Sequence, residues 1–285
     1  MTAYDRYKGE DGGLYGGGMN VPPPAHHDAA LAELAKIKPL DASGNPSPNG
    51  KIVLISIGMS NTTMEFSVFK QLADADPAKS PNLSIVDGAQ SGQTAKNWAT
   101  QSQPWTVLAQ RLQTAGVTPS QVQVVWIKQA NGGPSKGFPT EAQDMESQLA
   151  TIVQHVKQVY PNVRITYLSS RIYGGYATTA LNPEPYAYEG AFSVRWLIQS
   201  QINGDAGLNY NAELGAVKSP LLLWGPYLWA DGLKPRSDGL IWERGDLSSS
   251  DGTHPSTSGS LKVANMLLDF FKTNELARGW FTKPT

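Results

Sequence analysis

From Lys51 onward the chain alternates between two hydrophobic periods, and that alternation admits few folds. Five short apolar runs read as strands: Ile52–Ile57, Leu83–Val86, Val122–Ile127, Val163–Leu168 and Leu221–Trp224. The first is apolar nearly throughout, as a strand covered on both faces must be. Between the runs lie stretches of helical spacing: about Thr63 to Ala73, a stretch through Trp98, Pro104 to Ala115, Thr140 to Tyr160 and Tyr188 to Ile202. In the fourth of these, Met145, Leu149, Ile152, Val156 and Val159 recur on one face, and Pro161 ends it. A last helix is expected from about Pro255 to Asn274, with Leu261, Ala264, Leu268 and Phe271 inward. Strands alternating with helices specify an α/β fold: a three-layer α/β/α sandwich around a central parallel sheet of about five strands.

Residues 1–50 break the pattern. Gly12-Gly13-Leu14-Tyr15-Gly16-Gly17-Gly18 and Val21-Pro22-Pro23-Pro24 impose turns and extended backbone, while Tyr4, Tyr7, Leu14, Tyr15 and Met19 are too apolar for a free linker. We read 1–50 as a leader lying on a catalytic domain of residues 51–285, with a short helix at Ala25–Lys38 that turns Leu31, Leu34 and Ile37 to one side. Residues 225–250 form a polar, aromatic excursion with a hairpin at Ser237-Asp238-Gly239.

A parallel sheet places function at the carboxyl ends of its strands. Four turns therefore matter, those carrying Ser60, Gly92, Asn131 and the pair Asp251 and His254. Alone, Ser60 after Gly58-Met59 is a helix cap, an anion ligand or a nucleophile. The turn has neither G-x-G-x-x-G nor G-x-x-x-x-G-K-[ST], so the parts of a nucleotide loop are missing. Asp251-Gly252-Thr253-His254-Pro255 is more specific. An aspartate three residues before a histidine can accept its Nδ1–H and leave Nε2 free as a base. Of the chain's 4 histidines, His26, His27 and His155 read as solvated or partly covered side chains. Gly92 offers an unobstructed backbone N–H and Asn131 a side-chain amide, both donors suited to an oxyanion.

Other function classes are excluded by composition. With 23 basic and 24 acidic residues and no charge run, the chain lacks the basic patch that nucleic acid or a membrane surface requires. No apolar run approaches the roughly 20 residues of a membrane span. The absence of cysteine removes disulfides, thiol nucleophiles and zinc–thiolate sites, and leaves the redox compartment open.

Taken in order, Gly58-Met59-Ser60-Asn61, Ser91-Gly92-Gln93-Thr94, Gln129-Ala130-Asn131-Gly132 and Asp251-Gly252-Thr253-His254 resemble the four blocks of the SGNH (GDSL-like) hydrolase superfamily, over about residues 51–275. Met59, Asn61 and Gly132 depart from its usual Asp, Leu and Asp, and no departure removes a catalytic atom. The resemblance implies a flavodoxin-like sandwich and a serine esterase with the triad Ser60, His254 and Asp251. It implies an oxyanion hole from Ser60 N–H, Gly92 N–H and Asn131, and neither metal nor cofactor. Aromatic residues crowd the segments after the fourth and fifth strands: Tyr173, Tyr186, Tyr188, Trp224, Tyr227, Trp229 and Trp242. With Met59, three of them, Tyr173, Trp224 and Trp229, are the candidate substrate contacts. The leader is similar to that of bacterial, often exported members acting on carbohydrate esters. The expectation is an esterase for short-chain acyl groups, acetyl favoured, on a carbohydrate, secreted or periplasmic with its signal peptide absent from this sequence, a cytoplasmic location being the alternative. Two alternatives stay open: an O-acyltransferase using the same triad, and a non-catalytic glycan-binding domain of the same fold. Oligomeric state is not legible.

Overall fold

A computed structural model describes residues 5–283, so the expectation for Tyr4 lies outside the described residues. Five strands form one parallel sheet: β1 (Ile52–Gly58), β2 (Leu83–Val86), β3 (Val122–Lys128), β4 (Ile165–Ser169) and β5 (Leu221–Trp224), in the order β2-β1-β3-β4-β5. This 2-1-3-4-5 order is the flavodoxin-like one, in which the chain reverses direction across the sheet between β1 and β3. Gly58 pairs with Lys128 there, so the two strand ends open side by side into the same crevice. All seven residues of β1 and all seven of β3 are buried, which only a sheet covered on both faces can provide.

Alternation along β1 divides the core in two. Val53, Ile55 and Ile57 pack with Trp98, Leu108, Leu149, Ile152 and Leu197 on one face. Ile52 and Leu54 pack with Phe66, Phe69, Val263, Leu267 and Phe271 on the other. The first layer holds α3 (Ala95–Thr100), α4 (Gln103–Thr114), α5 (Thr140–Val159) and α6 (Tyr186–Ile202). The second holds α1 (Pro24–Leu34), α2 (Ser60–Ala75), α7 (Thr257–Thr273) and a short α8 (Arg278–Phe281) that the sequence did not suggest.

Three helices differ from expectation in an informative way. Helix α2 begins at Ser60 itself, three residues early, because the serine follows an extended Met59 directly. In α7 the buried face is Val263, Ala264, Leu267 and Phe271, while Leu261 is 43% exposed. The helix starts two residues later than Pro255, where Ser256 accepts the Gly259 N–H as its cap, while Ala264 and Phe271 lie inward as expected. In α1 the buried residues are His26, Ala30 and Glu33, and Leu31 faces out. His26 is 4% exposed with Nε2 2.8 Å from the Leu222 carbonyl, so the reading of a solvated or partly covered side chain is corrected to a buried one. The 237–239 hairpin is a tight turn without strands, closed by Arg236 N–H to the Leu240 carbonyl at 3.0 Å.

The leader makes specific contacts with α6 and β5. Tyr7 Oη and Lys8 Nζ reach Glu189 at 2.6 and 2.8 Å, Arg195 pairs with Asp11, and the Trp224 indole donates to the Leu14 carbonyl at 2.8 Å. No helix among the described residues is long and apolar enough to cross a membrane.

Candidate active site

The site is built on the turn after β1. A Cβ on Gly58 would lie 2.3 Å from Thr62 Oγ1 and 2.5 Å from the Lys128 carbonyl oxygen, so only glycine fits between strand and helix. The absent side chain lets Thr62 Oγ1 donate to that carbonyl at 2.8 Å, which ties the first turn of α2 to the end of β3. Ser60 is thus placed at a helix N-terminus, where backbone N–H groups lack intrahelical acceptors and the helix dipole favours negative charge.

Ser60 Oγ lies 2.7 Å from His254 Nε2, and His254 Nδ1 lies 2.5 Å from Asp251 Oδ2. The three side chains, with Ser60 and His254 194 residues apart in the chain, form one continuous line of hydrogen bonds. Asp251 Oδ1 accepts the backbone N–H groups of Thr253 and His254 at 2.9 and 3.0 Å, so the loop wraps its own carboxylate. Burial alone would raise the Asp251 carboxyl. The Thr253 N–H, the His254 ring and the His254 N–H outweigh it and hold the group below the usual carboxylate range. With an ionised acceptor at Nδ1, the neutral imidazole keeps its proton on that side and presents Nε2 as a base. The side chains of His254 and Asp251 are 28% and 18% exposed, open enough to be reached and closed enough to restrict water.

Gly252 holds the loop against its neighbour. Its φ is +64°, and a Cβ there would lie 1.9 Å from the Tyr176 carbonyl oxygen. Beyond Tyr176, Thr178 donates its N–H at 2.9 Å and its hydroxyl at 3.2 Å to the Asp251 carbonyl. The segment after β4 therefore runs directly beside Asp251.

The turns that carry Gly92 and Asn131 lie next to this line. Gln90 N–H donates to the Gly58 carbonyl at 3.0 Å, and Ala95 N–H to the Ala130 carbonyl at 3.1 Å, so the turns after β1, β2 and β3 are joined. Gly92 is exposed with φ +74°, and nothing lies within 4 Å of where a Cβ would stand. Asn131 Nδ2 donates to Glu141 Oε1 at 3.0 Å.

Tyr173 and Trp229 are half-buried, with ring centroids 6.4 Å apart, and Tyr188 stands 4.7 Å from Trp229. Glu184 fastens them: Oε1 accepts the Trp229 indole at 2.8 Å and Gly174 N–H at 2.9 Å, and Oε2 accepts Tyr188 N–H at 3.1 Å. Met59 is half-buried at the start of α2. Trp224 does not join this group. It is 5% exposed, packed in the core layer opposite Tyr173 and covered by Leu14 and Tyr15 of the leader, because β5 ends under that segment. Trp242 is fully buried and likewise unavailable.

Several residues under the site carried no signal in the sequence. Lys128 Nζ contacts both carboxylate oxygens of Glu65, and neither side chain has any exposed surface. Burial drives Lys128 down to about 8 and Glu65 upward, and the pairing opposes both shifts. Arg171, also buried, lies within electrostatic range of Glu65, Glu184 and Asp251, and burial brings its guanidinium down to about 10. Asp87 accepts from Ser56 Oγ at 2.5 Å and from Thr63, joining β1 and α2 to the turn after β2. Lys128 sits at the end of an apolar run and its partner is 63 residues away, so no local pattern announces the pair. Among the described residues no group of three or more His, Cys, Asp or Glu side chains is arranged to hold a metal ion.

No protein-family model matches the chain, and no curated protein does. Among solved structures, 16 chains match. One is a carbohydrate esterase family 3 protein from Talaromyces cellulolyticus, 14% identical, with TM-score 0.46 over 76% of this chain and 94% of that one. Another is a mutant acetyl esterase with an acetate ion, 15% identical, TM-score 0.45, again over 76% and 94%. A third is the periplasmic domain of a lipopolysaccharide acetyltransferase from Salmonella ser. Paratyphi A, 14% identical, TM-score 0.39, over 85% and 95%.

Proposed function

We propose that the chain is an SGNH-type serine esterase that removes short acyl groups, acetyl above all, from a carbohydrate ester. The observation that carries this reading is the unbroken line Ser60 Oγ–His254 Nε2 and His254 Nδ1–Asp251 Oδ2 at the switch point of the sheet. His254 takes the hydroxyl proton as Ser60 Oγ forms a bond to the ester carbonyl carbon. The backbone N–H groups of Ser60 and Gly92 and the Asn131 amide receive the oxyanion. Collapse breaks the bond to the sugar oxygen, which leaves with the proton from His254. Water, deprotonated by the same imidazole, then cleaves the acyl-enzyme and frees Ser60.

A small acyl group is favoured because the turns flanking Ser60 present small and polar residues, the exposed Gly92 and Gly132 and the partly exposed Asn131, and no apolar side chain for a long acyl chain. A sugar is favoured because the partly exposed Tyr173 stands on the segment that abuts Asp251, with Trp229 beside it and fastened by Glu184. The test is hydrolysis of p-nitrophenyl esters of increasing chain length and of acetylated sugars by wild type and Ser60→Ala. The acetyl ester should turn over fastest, and Ser60→Ala should lower kcat by about 10⁴-fold or more. Equal activity of the two proteins would sink the esterase reading. Acetyl transfer to an added sugar alcohol in preference to water would make the same triad that of an acyltransferase.

A further inference from the structure

We infer that Glu141 is the positioning residue of the oxyanion hole, acting by holding the Asn131 amide with its nitrogen toward the site. This rests on the proposed role of Asn131 as an oxyanion donor.

A primary amide has two ends of similar shape and opposite polarity. If Asn131 presents Nδ2 to a developing oxyanion it stabilises the charge, and if it presents Oδ1 it repels it. Something must therefore choose the end. Glu141, in the first turn of α5, accepts from Asn131 Nδ2 at 3.0 Å through Oε1. A carboxylate oxygen cannot serve a carbonyl oxygen in this way, so the amide nitrogen must face Glu141. One of its two hydrogens is then engaged, and the second remains for the reacting oxygen. Among the described residues no other group hydrogen-bonds the Asn131 side chain. The approach of Asn182 Nδ2, at 3.5 Å, is to the Asn131 backbone carbonyl and leaves the amide unoriented.

The other oxygen of Glu141 holds the loop on which Asn131 is mounted. Oε2 accepts the backbone N–H groups of Ser135 and Lys136 at 3.2 and 3.1 Å. That loop contains Gly132, Gly133 and Gly137, and residues 132, 133 and 135–137 are exposed; Phe138 anchors only its far end, against Tyr7, Phe192 and Trp196. Its ion pair, Lys136 with Asp144, joins side chains 55% and 41% exposed, and an exposed pair contributes little order. One carboxylate thus fixes both the path of the loop and the polarity of the amide.

The rival explanation is an acidic residue that merely stabilises the N-terminus of α5. A double-mutant cycle separates the two. kcat and KM on p-nitrophenyl acetate would be measured for wild type, Glu141→Ala, Asn131→Ala and the double variant. Thermal melting of each, Glu141→Gln and Ser60→Ala complete the set. Losing an oxyanion donor costs about 100–1,000-fold, and leaving one unoriented should cost a part of that, about 10–100-fold in kcat with KM little changed. The double variant should be no slower than Asn131→Ala, and Glu141→Gln, which keeps an acceptor for Nδ2, should recover most of kcat. Losses that multiply in the double variant would overturn the inference, as would Asn131→Ala turning over at the wild-type rate. Should Glu141→Ala fail to fold, Glu141→Met, which fills the space but offers Nδ2 no carboxylate oxygen, gives the same comparison in the two Asn131 backgrounds, with a loss of the same size in both contradicting the coupling. Ser60→Ala with undiminished activity would instead remove the esterase reading on which the inference stands.

Discussion

Ser60 and Asn131 stand at the ends of adjacent strands, yet they are held by different means. Ser60 opens α2 and is fixed by what lies beneath it. Gly58 admits no side chain, Thr62 bonds the Lys128 carbonyl, Thr63 bonds Asp87, and Glu65 meets Lys128 in the core. Asn131 hangs on a glycine-rich loop whose amide is oriented by one carboxylate from α5. The proposed nucleophile is therefore placed by the same contacts that fold the sheet, whereas the proposed oxyanion donor is placed by a contact that folding can spare. Substitutions beneath Ser60 should move stability and activity together, and those beneath Asn131 should separate them.

The largest effect on stability is expected at Lys128. Lys128→Met leaves Glu65 buried without its partner, at a cost of about 3–5 kcal/mol in chemical denaturation. Adding Glu65→Leu should restore most of that loss, since a well-packed apolar pair replaces a buried ionic one at little net cost. Glu141→Ala should cost only about 1 kcal/mol. If Glu141→Ala proves as destabilising as Lys128→Met, the contrast between the two strand ends disappears.

A smaller effect contrasts two of the histidines. His254 is placed for proton transfer, while His26 is buried against β5 with Nε2 at the Leu222 carbonyl. Burial lowers the His26 pKa below its ordinary 6.5, the carbonyl contact only partly opposing it. The unfolded chain then binds a proton more readily than the folded one. The stability from neutral His26 is complete above about pH 6.5 and falls as pH drops through the folded value. Wild type should lose Tm between pH 7 and 5 more steeply than His26→Gln, with kcat of the folded protein equal in the two. A kcat that follows the His26 substitution would tie α1 to the site and contradict the assignment.

The parts of this structure that were legible in the sequence are those written in local patterns. Five apolar runs of strand length returned five strands in one parallel sheet, and β5 was found with its observed bounds. The Asp-x-x-His spacing works because a single short loop brings Oδ2 to Nδ1 of the same segment. What escaped depends on distant partners. Nothing near Lys128 indicates Glu65, and nothing near Asn131 indicates a carboxylate ten residues on across a loop. Trp224 was grouped with Tyr173 and Trp229 because aromatic residues after β4 and β5 share a position in the chain. The side of the sheet and the cover of the leader separate them. In α7 the buried stripe passes through Val263 and Leu267 instead of Leu261 and Leu268, an error in phase that leaves the helix itself in place.

The central claim is that Ser60 is a nucleophile activated by His254. It is tested most directly by labelling the folded protein with a fluorophosphonate and locating the adduct by peptide mass spectrometry. The account predicts a single adduct on Ser60, formed in step with loss of esterase activity and much more slowly in His254→Ala. An adduct on another serine, or labelling of Ser60 at the same rate without His254, would contradict it.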